Sequence, residues 1–78
     1  MKKQVEKIIL HPSHVKVYRY TEKFIAKNIF APEINEIAKG ILLTPRQVYR
    51  IVEELCVLGY MAKDAYKKRS IRIEKPLK

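Results

Sequence analysis

One stretch, residues 44–59, restricts the possible folds more than any other, because it marks both ends of a helix. Thr44-Pro45-Arg46-Gln47 reads as N-cap, N1, N2 and N3. The Thr44 hydroxyl can accept from the Gln47 N–H while the Gln47 side chain reaches back, a capping box. Pro45 suits N1, where a missing N–H costs nothing. Val48, Ile51, Val52, Leu55 and Leu58 then recur at helical spacing as an inward stripe. Gly59 is placed to close the helix. With that stripe inward, Arg46, Gln47, Tyr49 and Arg50 point outward near the N-terminal end.

The flanking segments set this helix in order. Residues 1–10 could be helix or short strand, since Val5, Ile8 and Ile9 have helical spacing while Ile8-Ile9-Leu10 also suits a strand. Ser13 is expected to cap a first helix running from His14 to about Asn28, with Val17, Tyr18, Thr21, Phe24, Ile25 and Ile29 on its apolar side. A short second helix is expected from Glu33 to Lys39, with Ile34, Ile37 and Ala38 inward and Gly40 as its stop. Beyond Gly59 the period shifts. Tyr60–Lys63 and the alternating Ser70–Glu74 read as two strands of a β-hairpin around a polar, basic tip. Pro76 and the residues after it are expected to fray.

The composition narrows the chemistry. Seventy-eight residues suit one domain with a thin core. The expected division is 1–12 as an N-terminal extension, 13–59 as a three-helix core, 60–74 as the hairpin and 75–78 as a tail. A chain this short can scarcely enclose the deep pocket of a small-molecule enzyme, so no enzymatic activity, cofactor or small-molecule substrate is expected. Seventeen Lys and Arg against eight Asp and Glu give a formal charge of +9, which favours a polyanionic partner. The excess is greatest after Gly59, where seven basic residues face only Asp64 and Glu74. No apolar run is long enough for a membrane span, and no secretory cleavage pattern follows Met1. The single cysteine, Cys56, fits a reducing, cytoplasmic setting.

The order of helix, short helix, tight turn, capped helix and basic hairpin suggests a helix-turn-helix followed by a wing. The stretches Ala31–Ala38, Leu43–Arg50, Leu55 and Leu58–Met61 resemble the winged helix-turn-helix superfamily, the fold of LexA-type DNA-binding domains and of MarR- and ArsR-type regulators. The resemblance covers about residues 14–74. It implies a mainly α fold with a small β-hairpin (α+β), a three-helix core plus C-terminal wing, and helix 44–58 as the recognition helix in a major groove. It also implies a glycine at position 42 in the turn, where this chain has Leu42 and places Gly40 earlier.

The outward residues suit double-stranded DNA. Arg46 and Arg50 can pair bidentately with guanine and Gln47 with adenine, while Tyr49 can touch a phosphate or a thymine methyl. Thr44 and the helix amides beside it offer a phosphate site. Lys67, Lys68 and Arg69 at the hairpin tip, with Arg72 opposite Ile71 and Ile73, are placed for flanking phosphates or the minor groove. The plainer alternatives are a solvated helix face and a charged loop that keeps an edge strand soluble. Lys16, Arg19, Lys23, Lys27 and Lys39 read as solvated surface.

Other sites fail on residue count. His11, His14 and Cys56 lack a fourth ligand for a metal, no nucleophilic constellation assembles, and two glycines are too few for a phosphate loop. Cys56 and Val57 fall outside the inward stripe, which suggests a homodimer through this patch, residues 1–10 or the first helix. Contact of the patch with residues 1–10 of the same chain is the alternative. The expectation is thus a sequence-preferring DNA-binding protein, most simply a transcriptional regulator acting as a homodimer. Its rivals are a protein-interaction module on the same fold, a replication or packaging accessory factor, and an RNA-binding winged helix.

Overall fold

The computed structural model describes residues 10–64 and 67–77. Three helices precede a small hairpin: α1 (Pro12–Asn28), α2 (Ile34–Ile41), α3 (Pro45–Val57), β1 (Met61–Ala62) and β2 (Arg72–Ile73). The strands pair antiparallel, Met61 opposite Ile73 and Ala62 opposite Arg72. This is a winged helix-turn-helix fold, mainly α with a small β element. Neither reading of residues 1–9 can be compared with it, since they lie outside the described residues.

The helices pack around one another because each presents an apolar face to the same centre. Val17, Tyr18, Ile37, Val48, Val52 and Leu55 are fully buried. Each such side chain withdrawn from water contributes about 1.5–3 kcal/mol. Met61 and Ile71 close the core from the wing side. Leu77 is buried as well, and its carbonyl accepts from Arg19. The Tyr18 hydroxyl donates to the Lys75 carbonyl at 3.0 Å. Residues 75–77 are therefore stitched to α1, which corrects the expectation of a frayed tail: one buried leucine and two hydrogen bonds outweigh the pull of Pro76 toward disorder.

Helix α3 begins and ends as its sequence indicates. Thr44 Oγ1 accepts from Gln47 N at 3.2 Å and Gln47 Oε1 accepts from Thr44 N at 3.0 Å. At the far end the Gly59 N–H donates to Cys56 O and the Tyr60 N–H to Leu55 O, both 3.0 Å, with Gly59 at φ +86°. That is a Schellman closure, and its left-handed residue is the expected glycine.

The other helix ends differ from expectation. Helix α1 starts two residues early, with His11 as N-cap and Pro12 in the first turn. His14 Nδ1 accepts the His11 N–H at 3.1 Å, the return arm of a capping box, and Ser13 lies inside the helix instead of capping it. Helix α2 runs through Gly40 to Ile41 and ends on Leu42 at φ +60°. Gly40 is not a stop: a β-carbon there would lie 2.5 Å from Tyr20 Cζ. Ile29 falls beyond α1 as its left-handed C-cap, 90% exposed, and is no part of the apolar face. Each strand is two residues long, shorter than expected, and beyond the paired residues the Ser70 hydroxyl accepts from Asp64 N at 3.0 Å and lies within donating distance of the Asp64 and Lys67 carbonyls.

Candidate nucleic-acid interface

Helix α3 presents its outer face between two fastened flanks. On one flank Glu54 Oε1 accepts a hydrogen bond from His14 Nε2 at 2.6 Å, tying α3 to α1. Because His14 Nδ1 accepts from the His11 amide, Nε2 is the ring nitrogen that donates to Glu54. On the other flank Lys63 Nζ, just after β1, lies 2.7 Å from Glu53 Oε2 and 5.0 Å from the Tyr49 ring centre. The Lys63 hydrogen bond holds the Glu53 carboxyl below the usual carboxylate range, with the Tyr49 hydroxyl adding to it, and Glu53 in turn raises Lys63. Helical spacing leaves Arg46 and Arg50 between the flanks, both exposed and in no ion pair among the described residues.

The remaining expected residues have distinct settings. Thr44 and Gln47 are exposed, but both lone pairs of Gln47 Oε1 are taken by the Thr44 amide and hydroxyl. A bidentate adenine contact by Gln47 requires that cap to open. Tyr49 is half exposed and faces the wing. It shares a cleft of about 280 Å³ with Pro32, Ile34, Asn35, Lys67 and Lys68. Lys67 and Lys68 are exposed and unpaired among the described residues. Arg72 is exposed too, 3.6 Å from both Asp64 Oδ1 and Glu74 Oε2. Such solvent-exposed pairs hold little energy, about 0–1 kcal/mol each, so they leave Arg72 able to change partners.

Arg69 stands apart from its neighbours. Its Nη1 and Nη2 donate to Glu36 Oε1 and Oε2, both at 3.0 Å, and Nη1 also donates to the Ala31 carbonyl at 3.2 Å. Its Nε lies 3.6 Å from Glu33 Oε2, and the guanidinium lies 5.0 Å from the Phe30 ring centre. The bond from Arg69, followed by the Glu33 backbone bond, lowers the Glu36 carboxyl below its ordinary value, and the same bond raises Arg69.

Three residues of this face were missing from the sequence expectations: Asn35, Lys63 and Glu36. Asn35 had a local signal, since an inward face of Ile34, Ile37 and Ala38 turns it outward. The partnerships of Lys63 and Glu36 are long-range, so no local pattern marks them. The patch expected at Cys56 and Val57 divides: Cys56 packs partly against the core, where burial raises its thiol, while Val57 is exposed. No described helix is long and apolar enough to cross a membrane.

No protein-family model matches the chain. It is similar to the LexA repressor of Thermotoga maritima, 35% identical over 63 residues that cover 81% of this chain and 32% of that protein. It is also similar to the LexA repressor of Thermotoga petrophila, 33% identical over 63 residues with the same coverage. The chain spans about a third of the length of these curated relatives. The similarity agrees with the winged helix-turn-helix superfamily read from the fold.

Proposed function

We propose that this chain binds double-stranded DNA with sequence preference and serves a transcriptional regulator. The observation that carries the reading is the face of α3: Arg46 and Arg50 stand free on the helix, beside a cleft that Tyr49 shares with the wing lysines. In this reading Arg46 and Arg50 read base edges in the major groove. Thr44 and Gln47 hold the helix start against the backbone, and Tyr49 and Asn35 approach the phosphates from the cleft. Lys67, Lys68 and Arg72 neutralise the flanking strand. The similarity to proteins named repressors supports a regulatory role. No step of bond making or breaking belongs to this reading.

The test is selection from a random duplex pool with the wild type and with Arg46→Ala/Arg50→Ala. The wild type is expected to enrich one motif, and the variant to bind weakly without one. Lys67→Gln/Lys68→Gln is expected to weaken all duplexes alike and to flatten the log K against log salt slope by about 1.8, at about 0.9 per phosphate contact. A wild type that enriches nothing, and whose weak binding ignores Arg50→Ala, would mark the face as a protein-interaction surface instead.

We further infer that two copies act together, presenting two α3 helices to a pseudo-palindromic site. The exposed Val57 at the end of α3 supports an apolar contact there. Sedimentation at micromolar concentration, with and without duplex, is expected to show a dimer that Val57→Lys disrupts. Only monomer in both conditions would remove this part.

A further inference from the structure

The wing is joined to α2 by a clasp of side chains far apart in sequence. Arg69, at a left-handed backbone position with φ +56°, makes its fork to Glu36 across 33 positions. Glu36 already accepts the Glu33 N–H at 2.8 Å, the hydrogen bond that starts α2. One carboxylate therefore fastens the helix start and the wing together. Beneath the guanidinium lies Phe30, and Phe24 of α1 meets Phe30 edge-on at 5.8 Å between ring centres. The platform under Arg69 is thus rooted in the first helix. A paired, planar fork fixes direction as well as distance, which a lysine in the same place would not do.

We propose that Arg69 is a positioning residue: by clasping Glu36 it sets where Lys67 and Lys68 stand relative to Tyr49 and α3. Arg69 then contributes to the interface through geometry, and the free lysines make the contact. The consequence for binding rests on the DNA reading above; the clasp itself does not.

The charge of Glu36 makes the proposal testable, because positioning and plain electrostatics have opposite signs. Glu36→Gln makes the protein one unit more positive, so attraction alone tightens its hold on a polyanion. It would also release Arg69 if Arg69 contacted DNA directly. The variant keeps a side-chain oxygen for the Glu33 amide, so the start of α2 survives. Arg69→Asn removes the fork while tolerating the left-handed backbone.

Two measurements separate the outcomes: duplex affinity, and the heteronuclear NOE of the Lys67 and Lys68 amides without DNA. The expected result is a lower NOE in both variants and a loss of affinity of about threefold to tenfold in each, as the ordering of the wing shifts to the binding step. The double variant is expected to lose no more than either single one, because each already opens the clasp. Glu36→Gln binding as tightly as wild type or tighter, or wing amides indifferent to both substitutions, would overturn the proposal. Wing amides that respond in a protein without affinity for duplex would uphold the clasp and refute the DNA reading.

Discussion

Tyr20 of α1 lies across the backbone of Gly40 in α2, so closely that a β-carbon at position 40 would fall 2.5 Å from Tyr20 Cζ and 2.7 Å from its hydroxyl oxygen. Gly40 is helical, not left-handed. Its role is to let α1 and α2 approach. Gly40→Ala gains about 1 kcal/mol of helix propensity but forces the ring aside at about 1–3 kcal/mol. A net loss near 1 kcal/mol is expected in urea unfolding. In a Tyr20→Ala background the clash is gone, and the same substitution is expected to stabilise. A Gly40→Ala effect equal in both backgrounds would refute the close-approach role.

The left-handed position that Gly40 does not occupy falls to Leu42, at φ +60° and 90% exposed. Leucine loses about 1–2 kcal/mol there relative to glycine, and its exposed side chain returns almost nothing through burial. Part of the gain from glycine is offset by the greater freedom it gives the unfolded chain. Leu42→Gly is therefore expected to stabilise by about 0.5–1 kcal/mol, a rise of several degrees in Tm for a chain of this size. Ile29→Gly, at φ +69° and equally exposed, is expected to act in the same direction. A fall in Tm for both would mean that these side chains are covered in solution.

Much of the structure that depends on neighbours in sequence is legible, though the start of α1, set by His11 and His14 three residues apart, is not. The capping box at Thr44, the buried stripe of Val48, Ile51, Val52 and Leu55, and the Gly59 closure depend on residues within a turn or two; Leu58, expected in that stripe, caps the helix half-buried and outside the core cluster. Gly40 is ambiguous in sequence because a glycine has two uses, left-handed backbone and close approach, and only the position of Tyr20 distinguishes them. The pairing of Arg69 is likewise invisible to local pattern. A basic residue at a hairpin tip looks free until the fold brings Glu33 and Glu36 beside it. The outward setting of Arg46 and Arg50 follows from helical spacing alone, whereas the cleft between Tyr49, Asn35 and the wing needed three elements in place.

His14 joins the start of α1 to α3 through one ring. It is 3% exposed, accepts from the His11 amide and donates to Glu54. His14→Ala leaves that amide and that carboxylate without their partner, at about 1–3 kcal/mol. Glu54→Gln retains an acceptor for the ring, so its loss is expected to be well under that of His14→Ala. Urea midpoints for the two variants check the order, and a Glu54→Gln loss equal to that of His14→Ala would place the effect in the charge and not in the bond.

Acid should loosen the wing before the helices, because Glu36 and Glu53 fasten it at opposite ends. Both carboxyls are held below their ordinary value of 4.5, Glu36 by Arg69 and Glu53 by Lys63. Groups lowered in the folded state contribute stability above the unfolded value and lose it as pH falls through the folded one. Lys63 has the opposite sign: raised above 10.5 by Glu53, it contributes fully below that value and fades as pH rises through its folded pKa. The acid loss therefore begins near pH 5 and continues below 4.5, and an alkaline loss sets in above 10.5. Both limbs are shallow, because these pairs are open to solvent and screened. Heteronuclear NOE values at Lys67 and Lys68 are expected to drop between pH 5 and pH 3 ahead of any loss of helical circular dichroism. In Glu36→Gln the wing amides should start low and change little over that range. A wing that stays ordered in the wild type until the helices melt would show that these carboxylates do not hold it.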